Sequence, residues 1–367
     1  MKRYTPLMLL VAVACDAPGR IGAPVVPSAD LSGRPAVIVH AGGSIQAAVD
    51  AAVPGTVIQI EPGTYAEAIH VSVPGLALVG QRREDGRGVV IENPGGEDNG
   101  IRVDPGSDRF VLLNVTVRGF VDNGVLLSGV DGFLLAGVTA QDNGEYGLFP
   151  VHSSHGLIER CRASGHNDTG IYVGQSHDVT VRHSVTFANV NGIEFENSQR
   201  VQGVANETYD NVVGILVVVL PGLDVKSTSD VLVARNNVHD NNHPNFAPPG
   251  DLASFVPSGS GILIVGADRA TVEGNTVSGN QFTGIAVGST LLLGTLAGLP
   301  PEAFADIEPN PDNAVIRGNR VMGNGTASPI PFLPAVDLLW DGSGKGSCWD
   351  RNRFGSSFPD PLPACGR

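Results

Sequence analysis

Aromatic residues make up only 5% of this chain and charged residues only 16%. That scarcity argues against a helical bundle, which would draw more heavily on Ala, Glu, Lys and Leu. Basic runs are missing beyond Lys2 and Arg3, and the formal net charge is −14. Nucleic acid is therefore excluded as a partner, because nothing here neutralises a row of phosphates. Cysteine is sparse, at four residues. What is plentiful is glycine, 48 of 367 residues, among segments rich in Val, Asn and Thr. Such a mixture predicts many short strands joined by tight turns, in a chain long enough to bury a sizeable core.

A Gly-aliphatic pair recurs at Gly100, Gly124, Gly147, Gly170, Gly192, Gly214, Gly261 and Gly284. The spacing is about 23 residues, with one double-length gap. After each Gly the apolar residues alternate, as in Ile171/Val173, Ile193/Phe195 and Ile262/Ile264, which is strand period. A second strand follows in each unit (DVTVRHS, DVLVARNN, RATVEGNT, NAVIRGNR) and ends in an Asn-bearing turn. Asn206, Asn236, Asn275 and Asn319 share one place, with Ser184 and Cys161 there in earlier units. Asn143, His166, Asn189, Asn211, Asn241, Asn280 and Asn324 share another. Stacked asparagines are expected to bond from unit to unit and to tolerate the left-handed conformation of tight turns. Cys161 is expected buried and reduced, and Cys348 and Cys365, bracketing a Pro/Gly-rich segment, are expected to pair.

This period fits one coil of a parallel β-helix. Leucine-rich repeats would show LxxLxLxxN, which is absent, and a propeller blade would need about twice the period. The stretch SIQAAVDAAVPGTVIQIEPGTY reads as a short amphipathic helix, with Ser44 as N-cap and Ile45, Ala48, Val49 and Ala52 on one face, followed by the first strand. It resembles the N-terminal cap and first coil of the pectin-lyase-like superfamily, and the repeats resemble that superfamily's right-handed coils. The fold class expected is all-β: a single-stranded right-handed parallel β-helix, a solenoid with an N-terminal capping helix. Its parts are a leader over 1–14, a flexible tether over 15–36, coils over 37–330 with an insertion at 289–312, and a C-terminal cap over 331–367.

The leader MKRYTPLMLLVAVAC has a basic start and an apolar run, Leu7–Val13, too short to span a bilayer. Ala12 and Ala14 before Cys15 resemble the lipobox of bacterial lipoproteins, with Ala12 where leucine is usual. The resemblance implies export, lipidation of Cys15 and membrane anchoring; a plain secretory leader cleaved near Ala14 is the alternative.

Side chains that point away from the coil interior are brought into files about 4.8 Å apart by stacking. One file is Arg102, Leu126, Phe149, Tyr172, Glu194, Leu216 and Leu263; the next runs through Val151, Gly174 and Glu196; a turn file holds His152, Gln175 and Asn197. Phe149, Tyr172, Glu194, Glu196, His152, Gln175 and Asn197 are thus expected on one patch. Aromatic rings beside carboxylates and amides suit a sugar chain. Two Pro-rich insertions, 220–229 and 241–260, interrupt the coils just past it, and His243, Phe246 and Asp251 are expected to overhang it.

Three chemistries are open on this patch. A lyase or epimerase would use His152, Tyr172 or a lysine as base and need a cation for the uronate carboxylate. Basic groups near the patch are few (Arg160, Arg162, Arg182, Lys226), so Ca²⁺ held by Asp168, Glu194 and Glu196 would have to serve; no cofactor is otherwise required. A glycoside hydrolase would pair Glu194 with Glu196. A non-catalytic scaffold would use the same face to bind a glycan or a cell-envelope protein. Copper loading by His152, His155, His166, His177 and His183 is disfavoured for want of nearby Cys or Met ligands.

The runs YGLFPVHSSHGLIE, SGHNDTGIYVGQS, NGIEFENS, GILVVVLPGL and NNHPNFAPPG resemble a group of exported bacterial β-helix repeat proteins of unassigned role. That resemblance implies fold and compartment but no reaction. Tyr146–His152 is also similar to the YGxDPHD motif of β-helix alginate C5-epimerases. Phe149 replaces its acidic residue and the histidine is displaced by one, so the epimerase activity is not carried over.

Overall fold

The computed structural model describes residues 30–82, 86 and 88–366. Cys15, the leader and most of the tether lie outside them. Three parallel sheets of twelve, eleven and eleven strands run the length of the molecule, and neighbours within each sheet are three strands apart in sequence, except the first pair, Ala36–Val39 and Val57–Ile60. The chain therefore visits all three sheets once per coil. Ile171, Ile193, Ile215, Ile262 and Ile285 stand in one register-matched file, and all are buried in a continuous core.

The recurring glycine has a packing cause. A Cβ at Gly214 would lie 2.7 Å from the carbonyl oxygen of Gly261 in the next coil and 2.6 Å from a methyl of Val238. Only a hydrogen fits where two coils approach so closely.

The expected asparagine files are hydrogen-bonded ladders in the coil corners. Asn206 N–H donates to Asn236 Oδ1, Asn236 N–H to Asn275 Oδ1, and Asn275 N–H to Asn319 Oδ1, at 2.8, 2.8 and 2.9 Å. Ser184 and Cys161 extend this ladder as anticipated. In one respect the expectation is corrected. The left-handed residue is the one before each ladder asparagine: Ala205 (φ 55°) and Arg235 (φ 55°), not Asn206 and Asn236. The left-handed step turns the chain so that the next side chain points into the corner. A third ladder, through Ser153, Ser176 and Ser198, was not foreseen.

Ser44 caps a helix at Ile45–Asp50 by accepting from Ala47 N–H, and Ile45 and Val49 bury into the core. The helix lies beside Ile69–Val71, the outermost strand of its sheet. At the far end, residues 331–367 add further rungs to all three sheets, as Val336–Trp340, Cys348–Asp350, Arg353–Phe354 and Ser357–Phe358. A disulfide joins Cys348 to Cys365, and Cys161 is a buried free thiol, pushed up to about 12 chiefly by burial.

The insertions gather over one sheet, here called the front sheet, which contains Tyr146–Val151, Thr169–Gly174, Asn191–Glu196 and Val213–Val218. Ala247, Ala253 and Val256 from 241–260 pack on Leu216, Val218 and Leu263. The 289–312 insertion carries a helix, Thr290–Leu296, capped by Ser289. From Tyr172 through Leu263 the outward file is consequently buried, not a solvated surface.

The ladders make a direct prediction. Asn236→Ala removes the acceptor for two donors of Asn206 and the partner of the Gly203 carbonyl. Each orphaned buried group costs about 1–3 kcal/mol, so a clear fall in the denaturation midpoint is expected. Asn237→Ala, at the exposed neighbour, should leave the midpoint nearly unchanged; equal effects would contradict the ladder account.

Candidate functional site

The front-sheet strands start one after another with an acidic residue just before them. Asp98, Asp122, Glu145 and Asp168 precede Asn99, Asn123, Tyr146 and Thr169, which share one place in successive coils. The backbone confirms the file: Asp122 N–H donates to Asp98 O, Glu145 N–H to Asp122 O, and Asp168 N–H to Glu145 O. Like charges so stacked repel. Burial, with the Asp98 charge, raises the Asp122 carboxyl above its ordinary value; burial with the charges of Asp122, Asp168 and Asp251 raises Glu145.

At Asp168 this file meets the outward file. Thr169 Oγ1 lies 3.0 Å from Asp168 and 2.5 Å from Glu194, while Asn191 Nδ2 reaches Glu194 at 3.1 Å. A threonine hydroxyl carries one hydrogen, so of its two carboxyl contacts one must bring its own proton. Glu194 is 5% exposed; burial, reinforced by the charges of Asp168 and Glu196, pushes its carboxyl well above its ordinary value, toward the protonated form. Asp168 is also raised by burial, against hydrogen bonds from Thr169, Tyr146 and Asn191. Glu196 is pushed up to about 7, chiefly by burial and against the Tyr172 hydrogen bond.

Two tyrosines hold these acids. The Tyr146 phenol donates to Asp168 at 3.0 Å and the Tyr172 phenol to Glu196 at 2.7 Å. Phe149 stacks on Tyr146 with ring centroids 4.3 Å apart and meets Tyr172 edge-on at 4.8 Å. Asp122, Glu145, Asp168, Glu194, Glu196 and Asp251 line a cleft of about 580 Å³. The rest of its lining is aliphatic: Leu216 and Val218, beside Glu194 and Glu196 on the next strand, and Leu220, Pro221, Leu223 and Leu252 from the insertions. No Lys, Arg or His is among the lining residues.

Of the residues singled out in the sequence, Tyr172, Glu194, Glu196 and Asp168 come together, with Phe149 on their flank. Others do not join them. Gln175 accepts from the N–H groups of Asp224 and Val225, and Asn197 bonds Leu220 and Val225, so both pin the 220–229 insertion. His152 is half-exposed beside Asp224, its Nε2 4.0 Å away, outside the cleft lining. Arg182 belongs to another sheet and pairs with Glu159 at 2.8 Å. Phe246 packs with His243 and an aliphatic cluster behind the cleft, whereas Asp251 overhangs it as expected. Tyr146, Thr169, Asn191, Glu145 and Asp122 escaped the sequence reading. The acid before each strand was the available signal.

Among the described residues, the three-residue set with ligand atoms within 4.8 Å of one another is His155, His177 and Asp178. Asp168, Glu194 and Glu196 do not converge in that way. His166 takes a place in an asparagine ladder, and burial pushes its imidazole down to about 4.

No match is found among curated proteins. The A-module of the mannuronan C-5 epimerase AlgE4 from Azotobacter vinelandii is similar in structure at a TM-score of 0.56 and 17% identity, over 84% of this chain and 90% of that one. The periplasmic alginate epimerase AlgG aligns at 0.52 and 14%, over 82% and 69%. DFA-IIIase from Arthrobacter chlorophenolicus A6 aligns at 0.53 and 13%, over 85% and 88%. At such identities these likenesses establish the fold alone. The sequence profile of the right handed beta helix region matches residues 85–220 and 219–330, and with three parallel sheets wound coil upon coil, this chain belongs to that family.

Proposed function

We propose that this protein cleaves or transfers glycosidic bonds in a polysaccharide that carries no carboxylates, outside the cytoplasm and tethered by a lipid on Cys15. The observation that carries the reading is the cluster of buried acids around Thr169, whose single hydroxyl hydrogen meets two carboxyl groups. The similar structures include enzymes named as epimerases of mannuronan and alginate and a DFA-IIIase, and AlgG is described as periplasmic; both support a carbohydrate substrate and an exported setting.

In this reading Glu194 donates its proton to the leaving glycosidic oxygen. Glu196, steadied by the Tyr172 phenol, is the carboxylate that activates the acceptor, water or a sugar hydroxyl. Asp168 supplies fixed negative charge beside the positive charge that develops at the anomeric carbon. Epimerase or lyase chemistry is disfavoured because a uronate carboxylate would enter a cleft lined by six acids and no cation. The candidate base His152 also stands outside it. A Ca²⁺ ion is not needed here, since the substrate brings no anion to neutralise.

A panel of neutral, amino-bearing and uronate polysaccharides tests the assignment, with reducing ends and unsaturated-uronate absorbance as separate readouts. Reducing ends or transfer products from a neutral or amino-bearing glycan are expected. Glu194→Gln should lower that rate by about 10²-fold or more with the circular dichroism unchanged. Unsaturated products from a polyuronate, or a fully active Glu194→Gln, would overturn it; binding without turnover would favour a scaffold.

The raised acids also mark stability. A carboxyl whose folded value is about 7, against an ordinary 4.5, binds more protons in the native state. Its stabilising effect is complete below about pH 4.5 and is lost as the pH rises through 7. Glu196→Gln should therefore raise the melting temperature relative to the parent at pH 8 and lose that advantage at pH 4. An equal difference at both values would place Glu196 among ordinary carboxylates.

The anchor is tested by expression in a bacterial host. The parent should sediment with membranes, and Cys15→Ala should move it to the soluble exported fraction. Identical partitioning of both would remove the lipid from the account.

A further inference from the structure

Beyond the acidic cleft, the outward file of the front sheet continues through Leu216, Leu263, Ala286 and Leu339. The insertions roof this stretch without filling it. Val256 and Pro257 come from 241–260, Leu292, Leu293 and Leu296 from the capped helix, and Ile330 and Leu333 from the last connection. Between roof and sheet is a cavity of about 70 Å³ whose walls are almost wholly apolar. It is flanked by two apolar clusters that share Ala286. Leu216, Val256 and Leu293 line both this cavity and the acidic cleft, so the aliphatic wall of the cleft leads into it.

We propose that this cavity is an annex of the cleft that receives a short apolar substituent, an alkyl or acyl chain of roughly three carbons, carried on the sugar that sits among the acids. The inference rests on the glycan reading of the cleft and specifies its substrate class. Continuity is the argument for this occupant. A ligand seated at Asp168 and Glu194 extends along the same file onto Leu216, the next residue in that file after Glu194, and toward Leu293. A bare hydroxyl there would meet no polar partner, whereas a methylene chain extends along the aliphatic wall. Size sets the limit. A dry apolar cavity of ~150 Å³ takes up benzene, so about half that volume suits a chain of roughly three carbons.

The test is a titration of the intact protein with methyl, ethyl, propyl, butyl and hexyl glycosides of one neutral sugar, with 1-butanol as a sugar-free probe. Affinity is expected to rise about fourfold per added methylene, as ~0.8 kcal/mol per buried CH₂ requires, and to level off after propyl or butyl. Ala286→Leu, which fills the annex from the sheet side, should flatten the series and leave methyl glycoside binding unchanged. Leu296→Ala, which widens it from the roof, should move the plateau to longer chains and guards against a misfolded Ala286→Leu. Equal affinity for methyl and butyl glycosides would overturn the annex and leave the carboxylate assignment standing. Binding of 1-butanol with no glycoside binding, or no binding at all, would overturn both.

Discussion

A coil of about 23 residues cannot bury its own apolar face, so each coil depends on hydrogen bonds to the one above and the one below. In the strands the backbone makes those bonds. In the corners the left-handed residues still bond to the next coil, as Ala205 N–H does to Ala234 O and Arg235 N–H to Glu273 O, but the N–H that follows each of them reaches a side-chain oxygen instead of a carbonyl. There the side-chain amides of Asn206, Asn236, Asn275 and Asn319 take over, reaching backbone groups in neighbouring coils. An orphaned polar group in such a corner would be sealed from water. The stack therefore holds one register from end to end, and every outward file follows from it.

The same register explains why the candidate site is expensive to build. Four acids lie in one file from Asp98 to Asp168, and Glu194 and Glu196 sit in the adjoining files. Repulsion and desolvation push these carboxyls toward their protonated forms, and Tyr146, Tyr172, Thr169 and Asn191 supply hydrogen-bond donors. A fold indifferent to this place would have put neutral residues there, as the same file does at Val190 and Val212 farther along. The insertions complete the arrangement by converting an exposed sheet into a cleft lined by acids and by aliphatic side chains.

Much of this was legible in the sequence because the coil period converts spacing into register. Phe149, Tyr172 and Glu194 could be placed in one file from the Gly-aliphatic repeat alone. What repetition does not encode is the path of the insertions. Gln175 and Asn197 look like free outward amides, but the segment at 220–225 folds back and uses both. Arg182 was misplaced because it lies beyond a corner, on a different sheet from Tyr172 though only ten residues away. Tyr146 and Thr169, at strand starts, and the acids beside them were missed because attention to outward positions within strands passes over the residues where strands begin.

We propose that Glu194 keeps its proton at neutral pH because the stacked coils bury it among other acids. The most direct measurement is the titration of the Glu194 side-chain carboxyl by carbon NMR, in protein labelled at glutamate and assigned with Glu194→Gln. A resonance still in the protonated position at pH 7, moving only in more alkaline solution, is the result expected. A resonance that has completed its titration by pH 5 would show an ordinary ionised glutamate and contradict the central claim.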